Sequence, residues 1–183
     1  MADPNNDQYI QKQQTDAMLK AGIGFRYHGK SLDSIPAGRP IKEMILNGDL
    51  LGRINQGGGL TIVSGSVENM DIFPLLAKGL MLGVQMGALL SNPMKVIDAY
   101  ESGWVEMMER IRTVQCLFLS TFIDDGECPF TKSQRYRIEQ IILERSVQHR
   151  ATFLDVYEGC KLTDWWSKKF VEQMSQINRE IVT

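Results

Sequence analysis

Leu60-Thr61-Ile62-Val63, followed by Ser64-Gly65-Ser66-Val67-Glu68-Asn69-Met70-Asp71-Ile72, is the stretch that decides the fold. The β-branched run predicts a short buried strand, and the apolar spacing from Ile72 to about Val84 predicts a helix after it. Strand, turn and helix in this order are the layout of a phosphate-binding loop, G-x-x-x-x-G-K-[ST]. There, main-chain N–H groups wrap the phosphates, the lysine reaches their outer oxygens and the hydroxyl holds magnesium. Gly65 keeps the first glycine, but Met70 stands at the second, Asp71 at the lysine and Ile72 at the hydroxyl. A carboxylate about 4 Å from a phosphate charge costs on the order of 4 kcal/mol at an effective dielectric near 20, before the lost lysine is counted. Ordinary triphosphate binding is therefore not expected, and the loop reads as a vestige.

Outward from this stretch, short apolar runs alternate with helical patterns. Upstream, Pro40, Ile41, Met44, Ile45, Leu50 and Leu51 predict one helix that stops at Gly57-Gly58-Gly59. Downstream come the run Ala88-Leu89-Leu90, then helical ground from Met94 to Arg112 interrupted near Gly103, and a strand at Gln115 to Leu119. Thr131 then caps a long helix whose apolar face is read as Tyr136, Ile138, Ile141, Ile142 and Val147. Thr152-Phe153-Leu154 predicts a fourth strand, and a last helix is expected from about Thr163 to Ile181. Strands alternating with helices predict a doubly wound α/β domain with a parallel sheet covered on both faces.

Composition narrows the class. The 183 residues are 43% hydrophobic and 23% charged, with Lys+Arg 20 against Asp+Glu 22 for a net charge of −2. That is the profile of one globular domain without a global basic field for nucleic acid or membrane. No apolar run approaches the roughly 18 residues of a spanning helix, and the opening Met-Ala-Asp-Pro-Asn-Asn-Asp-Gln lacks the layout of a signal peptide. A cytoplasmic protein is expected. Cys116, Cys128 and Cys160 form neither a disulfide framework nor a zinc pattern, so no metal is expected.

Three further stretches carry a resemblance over most of the chain. Ala21-Gly22-Ile23-Gly24-Phe25-Arg26-Tyr27-His28-Gly29-Lys30-Ser31-Leu32-Asp33 resembles the A-G-I-P-x-R-Y opening of DnaC/DnaI-type helicase loaders and their IstB-like relatives. Gly59 to Gly65 resembles the lead-in to their P-loop, and Ile138 to Arg145 with Arg150-Ala151-Thr152 is similar to their I-x-x-[IL]-[IV]-x-x-R helix and R-P-T segment. The resemblance implies an AAA+-like P-loop core at 39–183, preceded by a short helical N-terminal arm and linker at 1–38. The departures are systematic. Ser120 and Thr121 stand where two acids should order magnesium and water, no Asn follows the fourth strand within Asp155 to Gly159, and no arginine of the finger type is evident in the last helix. An alternative register would use Asp124-Asp125 as the acids, which leaves a surviving ATPase open.

With every motif altered, the resemblance implies a bacteriophage or mobile-element replication protein that binds the replicative helicase DnaB and loads it on single-stranded DNA. It would do so without ATP hydrolysis, would be no enzyme, and would need no cofactor. Phage loaders of the P2-type replication protein B kind are a plausible closer relation. An inhibitor of the helicase or its loader, and a transposition accessory of IstB type, remain alternatives. Tyr9, Ile10, Met18 and Leu19 are the expected helicase-binding face of the arm, with Trp165 and Trp166 either a second contact or core. Lys132, Arg135 and Arg137 are the candidate DNA contacts, within a set that adds Arg145 and Arg150 and is opposed by Glu139 and Glu144.

Overall fold

Leu60–Ser64 forms β1, and it lies inside an all-parallel five-stranded sheet of order β2-β3-β4-β1-β5. This computed structural model describes residues 4–35, 38–64, 71–121, 130–157 and 161–182. The other strands are β2 (Ala88–Ser91), β3 (Cys116–Leu119), β4 (Ala151–Tyr157) and β5 (Arg179–Val182). Helices α1 (Pro4–Lys20), α2 (Gly38–Leu46) and α3 (Asp49–Asn55) precede β1, with one-turn 3-10 helices at Phe25–Tyr27 and Leu32–Ser34. Then follow α4 (Ile72–Gly83), α5 (Pro93–Glu101), α6 (Val105–Thr113), α7 (Lys132–Val147), α8 (Leu162–Trp165) and α9 (Lys168–Ile177).

Both faces of the sheet are buried, and strand alternation sorts them. Cys116 and Phe118 face the core shared with α1 to α4, while Leu117 and Leu119 face the core shared with α5 to α9. Phe118 stacks on Phe153 at 4.3 Å and meets the edge of Phe73 at 5.3 Å. Burying each such ring contributes about 1.5–3 kcal/mol. The turn-rich passage after α1 belongs to the first of these cores: Ala21, Ile23, Tyr27, Leu32 and Ile35 are all buried in it. Among the described residues no helix is long and apolar enough to cross a membrane.

Three local expectations are corrected. The single helix expected after Pro40 is two, because Gly48 takes a left-handed φ of 83° and breaks it between α2 and α3. The single last helix expected from Thr163 is also two, α8 and α9, parted at Trp166-Ser167 where Ser167 caps α9; α9 ends at Ile177, and the residues expected to prolong it form β5 instead. Asn178 makes that turn and fastens it: its Oδ1 accepts from the Gly59 N–H at 2.8 Å, and its Nδ2 donates to the Thr152 carbonyl at 3.0 Å. Gly59 allows this approach, since a Cβ there would meet the Thr152 carbonyl oxygen at 2.5 Å. On α7, Ile138, Ile141 and Ile142 are buried as expected, whereas Tyr136 and Val147 are exposed.

Thr131 caps α7 as its sequence predicts. Its hydroxyl accepts from the Gln134 N–H at 3.2 Å while Gln134 Oε1 accepts from the Thr131 N–H at 3.0 Å.

Candidate functional site

The C-terminal ends of the three adjacent inner strands β3, β4 and β1 lie together at one end of the parallel sheet, where an α/β fold places its ligand. Gly65 and Met70 of the vestigial loop lie outside the described residues, as do Asp124 and Asp125. Ile72, at the hydroxyl position, is buried in the core. Asp71, at the lysine position, is the N-cap of α4.

The Asp71 carboxylate is engaged by its own chain. It accepts a hydrogen bond from the Tyr27 hydroxyl at 3.0 Å and one from Lys30 Nζ at 2.9 Å, and the Arg26 guanidinium stands 3.8 Å away. Arg26 also donates to the Tyr27 hydroxyl and lies over its ring at 4.6 Å. Burial acts to raise the Asp71 pKa, but the hydrogen bonds from Lys30 and Tyr27 and the two cations outweigh it, so it sits below the ordinary carboxylate value. Seven residues on, Lys78 Nζ donates to the carbonyls of Tyr27, His28 and Lys30 at 3.1, 2.5 and 2.7 Å.

At the end of β3, Ser120 and Thr121 are organised around an acid that the sequence reading passed over. Asp155 lies on β4, the strand between β3 and β1. Ser120 Oγ donates to one of its carboxylate oxygens at 2.7 Å and the Thr121 N–H to the other at 2.6 Å. The Thr121 hydroxyl donates to the Asp155 main-chain carbonyl at 2.6 Å. Burial pushes the Asp155 carboxyl up to about 6, with these donors opposing it. This end therefore holds an acid on β4 with two hydroxyl residues after β3. Among the described residues no group of three or more His, Cys, Asp and Glu side chains is placed to hold a metal ion.

The remaining candidates divide by burial. In α1, Tyr9, Ile10 and Leu19 are exposed, while Met18 turns into the core and leaves the expected partner-binding face. The arm is fixed at its C-terminal end by bonds from the Leu90 N–H to the Ala21 carbonyl at 2.8 Å and from Arg110 to the Lys20 carbonyl. Trp165 and Trp166 are 1% and 0% exposed, so they are core and no docking surface. Trp165 packs on Phe130, Trp166 packs on Phe170, and Glu139 accepts from the Ser167 N–H and hydroxyl at 2.6 and 2.8 Å.

Burial also thins the basic set. Glu139 and Arg145 are buried, Arg135 is partly buried, and Lys132 and Arg137 are exposed. Arg137 stacks over the Tyr100 ring at 4.5 Å. Exposed Trp104 is the N-cap of α6 and exposed Val105 its first residue. The Arg137–Tyr100 stacking joins α7 to α5, far apart in sequence, so composition gave no sign of it.

The sequence matches no protein-family model and no curated protein. Solved structures do match. The DnaC helicase loader superposes with a TM-score of 0.65 at 16% identity, over 87% of this chain and 99% of that one. DnaA from Aquifex aeolicus, bound to AMPPCP, matches with a TM-score of 0.63 at 14% identity over 87% of this chain and 50% of the DnaA chain. A protein from Streptococcus pyogenes serotype M3 assigned as a primosome component matches at 0.61 and 18%, over 86% and 87%. At these identities the likeness is one of fold, and with the five-stranded parallel sheet it gives this chain the AAA+-like fold of the DnaC-type helicase loaders.

Proposed function

We propose that this protein is a bacteriophage or mobile-element replication protein that binds the replicative helicase DnaB and loads it on single-stranded DNA without hydrolysing ATP. On this reading it is not an enzyme. The observation that carries the reading is Asp71: on a loader-type fold, the position of the phosphate-binding lysine holds a carboxylate already engaged by Tyr27 and Lys30. Loading without ATP is physically sufficient, because a ligand shifts an equilibrium by its differential affinity for the two states. The protein need only bind the open helicase ring more tightly than the closed one.

Exposed Tyr9, Ile10 and Leu19 supply the helicase contact, as the apolar points of a helix laid in a groove. Lys132 and Arg137, with Tyr100 and Trp104, supply cations for a phosphate backbone and rings on which bases stack. The test is co-elution of the purified chain with DnaB, then transfer of DnaB onto protein-coated single strands with no nucleotide added. Failure to bind any hexameric helicase overturns the reading. Micromolar binding of ATP with magnesium in a calorimeter overturns its ATP-free part. The same transfer assay separates an inhibitor, which blocks delivery by a host loader, from a loader that replaces it.

A further inference from the structure

The loop from Gly24 to Ser31 is fastened to α4 from two directions. Ile23 before it and Leu32 after it are buried, but within it only Tyr27 enters the core, and Phe25 is 67% exposed. Gly24 and Gly29 have no atom within 4 Å of where a Cβ would stand. Apolar packing thus holds this loop by one side chain, and its other ties to α4 are polar. Asp71 at the start of α4 takes the Tyr27 hydroxyl and Lys30, and Lys78, two turns further along the same face, takes three of the loop's carbonyls. The two fastenings have opposite sign: α4 presents an anion to the loop's cations and a cation to the loop's carbonyl dipoles. Behind the loop, Gly22 and Ala21 lead directly into the end of α1.

We infer that Asp71 and Lys78 are positioning residues that hold the 24–31 loop shut over the first two turns of α4, with charges of the chain itself adding to the packing of Tyr27. A loop clasped in this way keeps one setting whether or not an anion is bound at the C-terminal end of the sheet. The inference concerns the chain alone, so it stands or falls separately from helicase binding.

Hydrogen exchange on the full chain tests it, with the amides of Tyr27, His28 and Lys30 as reporters, since each is bonded within the loop. In Asp71→Ala these amides exchange about two- to threefold faster or more, while those of β1 and β4 are unchanged. Asp71→Glu restores most of the protection. Inorganic phosphate added to Asp71→Ala also restores it, because Tyr27, Lys30 and Arg26 regain an anion; a role in shape alone gives no such rescue. Lys78→Met speeds the same amides. Unchanged exchange in Asp71→Ala overturns the inference, as does a rise that neither phosphate nor the glutamate variant reverses. If Asp71→Ala exchanges throughout the molecule, Lys78→Met and the wild type in high salt decide: no local rise in either overturns it.

Discussion

The two ends of the sheet handle their polar groups in opposite ways. At the end where β1 and β4 begin, buried Arg145 donates to the carbonyls of Ile111 and Ala151 and to the Thr152 hydroxyl, and Asn178 fastens Gly59 and Thr152. Burial lowers the Arg145 pKa only to about 10, so it stays charged at neutral pH inside a cage of dipoles. At the other end, burial moves Asp155 up against the pull of its neutral hydroxyl and amide donors, while at Asp71 the cations and the Tyr27 hydroxyl outweigh burial and move it down. The beginning of the strands is a frame in which every named group has its partner. The far end carries two carboxylates with divergent acidities, where a nucleotide enzyme would set lysine and magnesium.

The largest test of this contrast is at the frame. Arg145→Met leaves two carbonyls and a hydroxyl without their donor, and hydrogen bonds to a charged group are worth about 1.5–3 kcal/mol each. Urea denaturation is expected to show a loss of about 3 kcal/mol or more. A loss below about 1 kcal/mol would mean that water replaces the guanidinium, and the frame would be no more rigid than the site.

Asp155→Asn works in the opposite sense. The folded Asp155 value of about 6 lies above its ordinary 3.8, so the native state binds the extra proton and its stability falls as pH rises from about 4 to about 6. The isosteric amide keeps an oxygen for the Thr121 N–H and turns its NH₂ toward Ser120. It should raise stability at pH 7.5 by on the order of 2 kcal/mol and change nothing at pH 4. Thermal melts across that range check both halves. Destabilisation at pH 7.5 would show that the fold favours the ionised carboxylate over the protonated one, against the raised value.

The sequence made the frame's elements legible far better than their wiring. The β-branched run of β1, the Thr131 cap and the continuous apolar run of β3 are local signals, and each formed where expected. Arg179-Glu180-Ile181-Val182 carries no such signal: it is an edge strand of two charged and two apolar residues, defined by its pairing with β1, and reads equally well as a helix tail. Arg145 counted as a surface charge because the partners that permit its burial come from α6 and β4. Asp71 was visible as a wrong residue type in a motif, yet its partners lie 41 and 44 positions upstream. Asp155 was missed because the motif places its acid on β3, and only the sheet order shows that β4 can present one to the same point.

The smallest expected effect is on global stability at Asp71. Its cationic partners are open to solvent, with the Lys30 side chain 47% and the Arg26 side chain 70% exposed, so the ion pairing is discounted to about 0.5 kcal/mol, and the amide oxygen of an asparagine still accepts from the buried Tyr27 hydroxyl. Because the folded value lies below the ordinary 3.8, this contribution is complete above that pH and is lost only as pH falls through the depressed value. Asp71→Asn should therefore shift the unfolding midpoint slightly and by a constant amount between about pH 5 and 7, where the benefit of Asp155→Asn grows steeply. Added salt should erase the Asp71 shift, since exposed pairs are screened within about 10 Å at 0.1 M, and should leave the Asp155 effect in place. An Asp71 variant whose loss exceeds about 2 kcal/mol, or survives high salt, would make its carboxylate part of the frame and collapse the distinction between the two ends of the sheet.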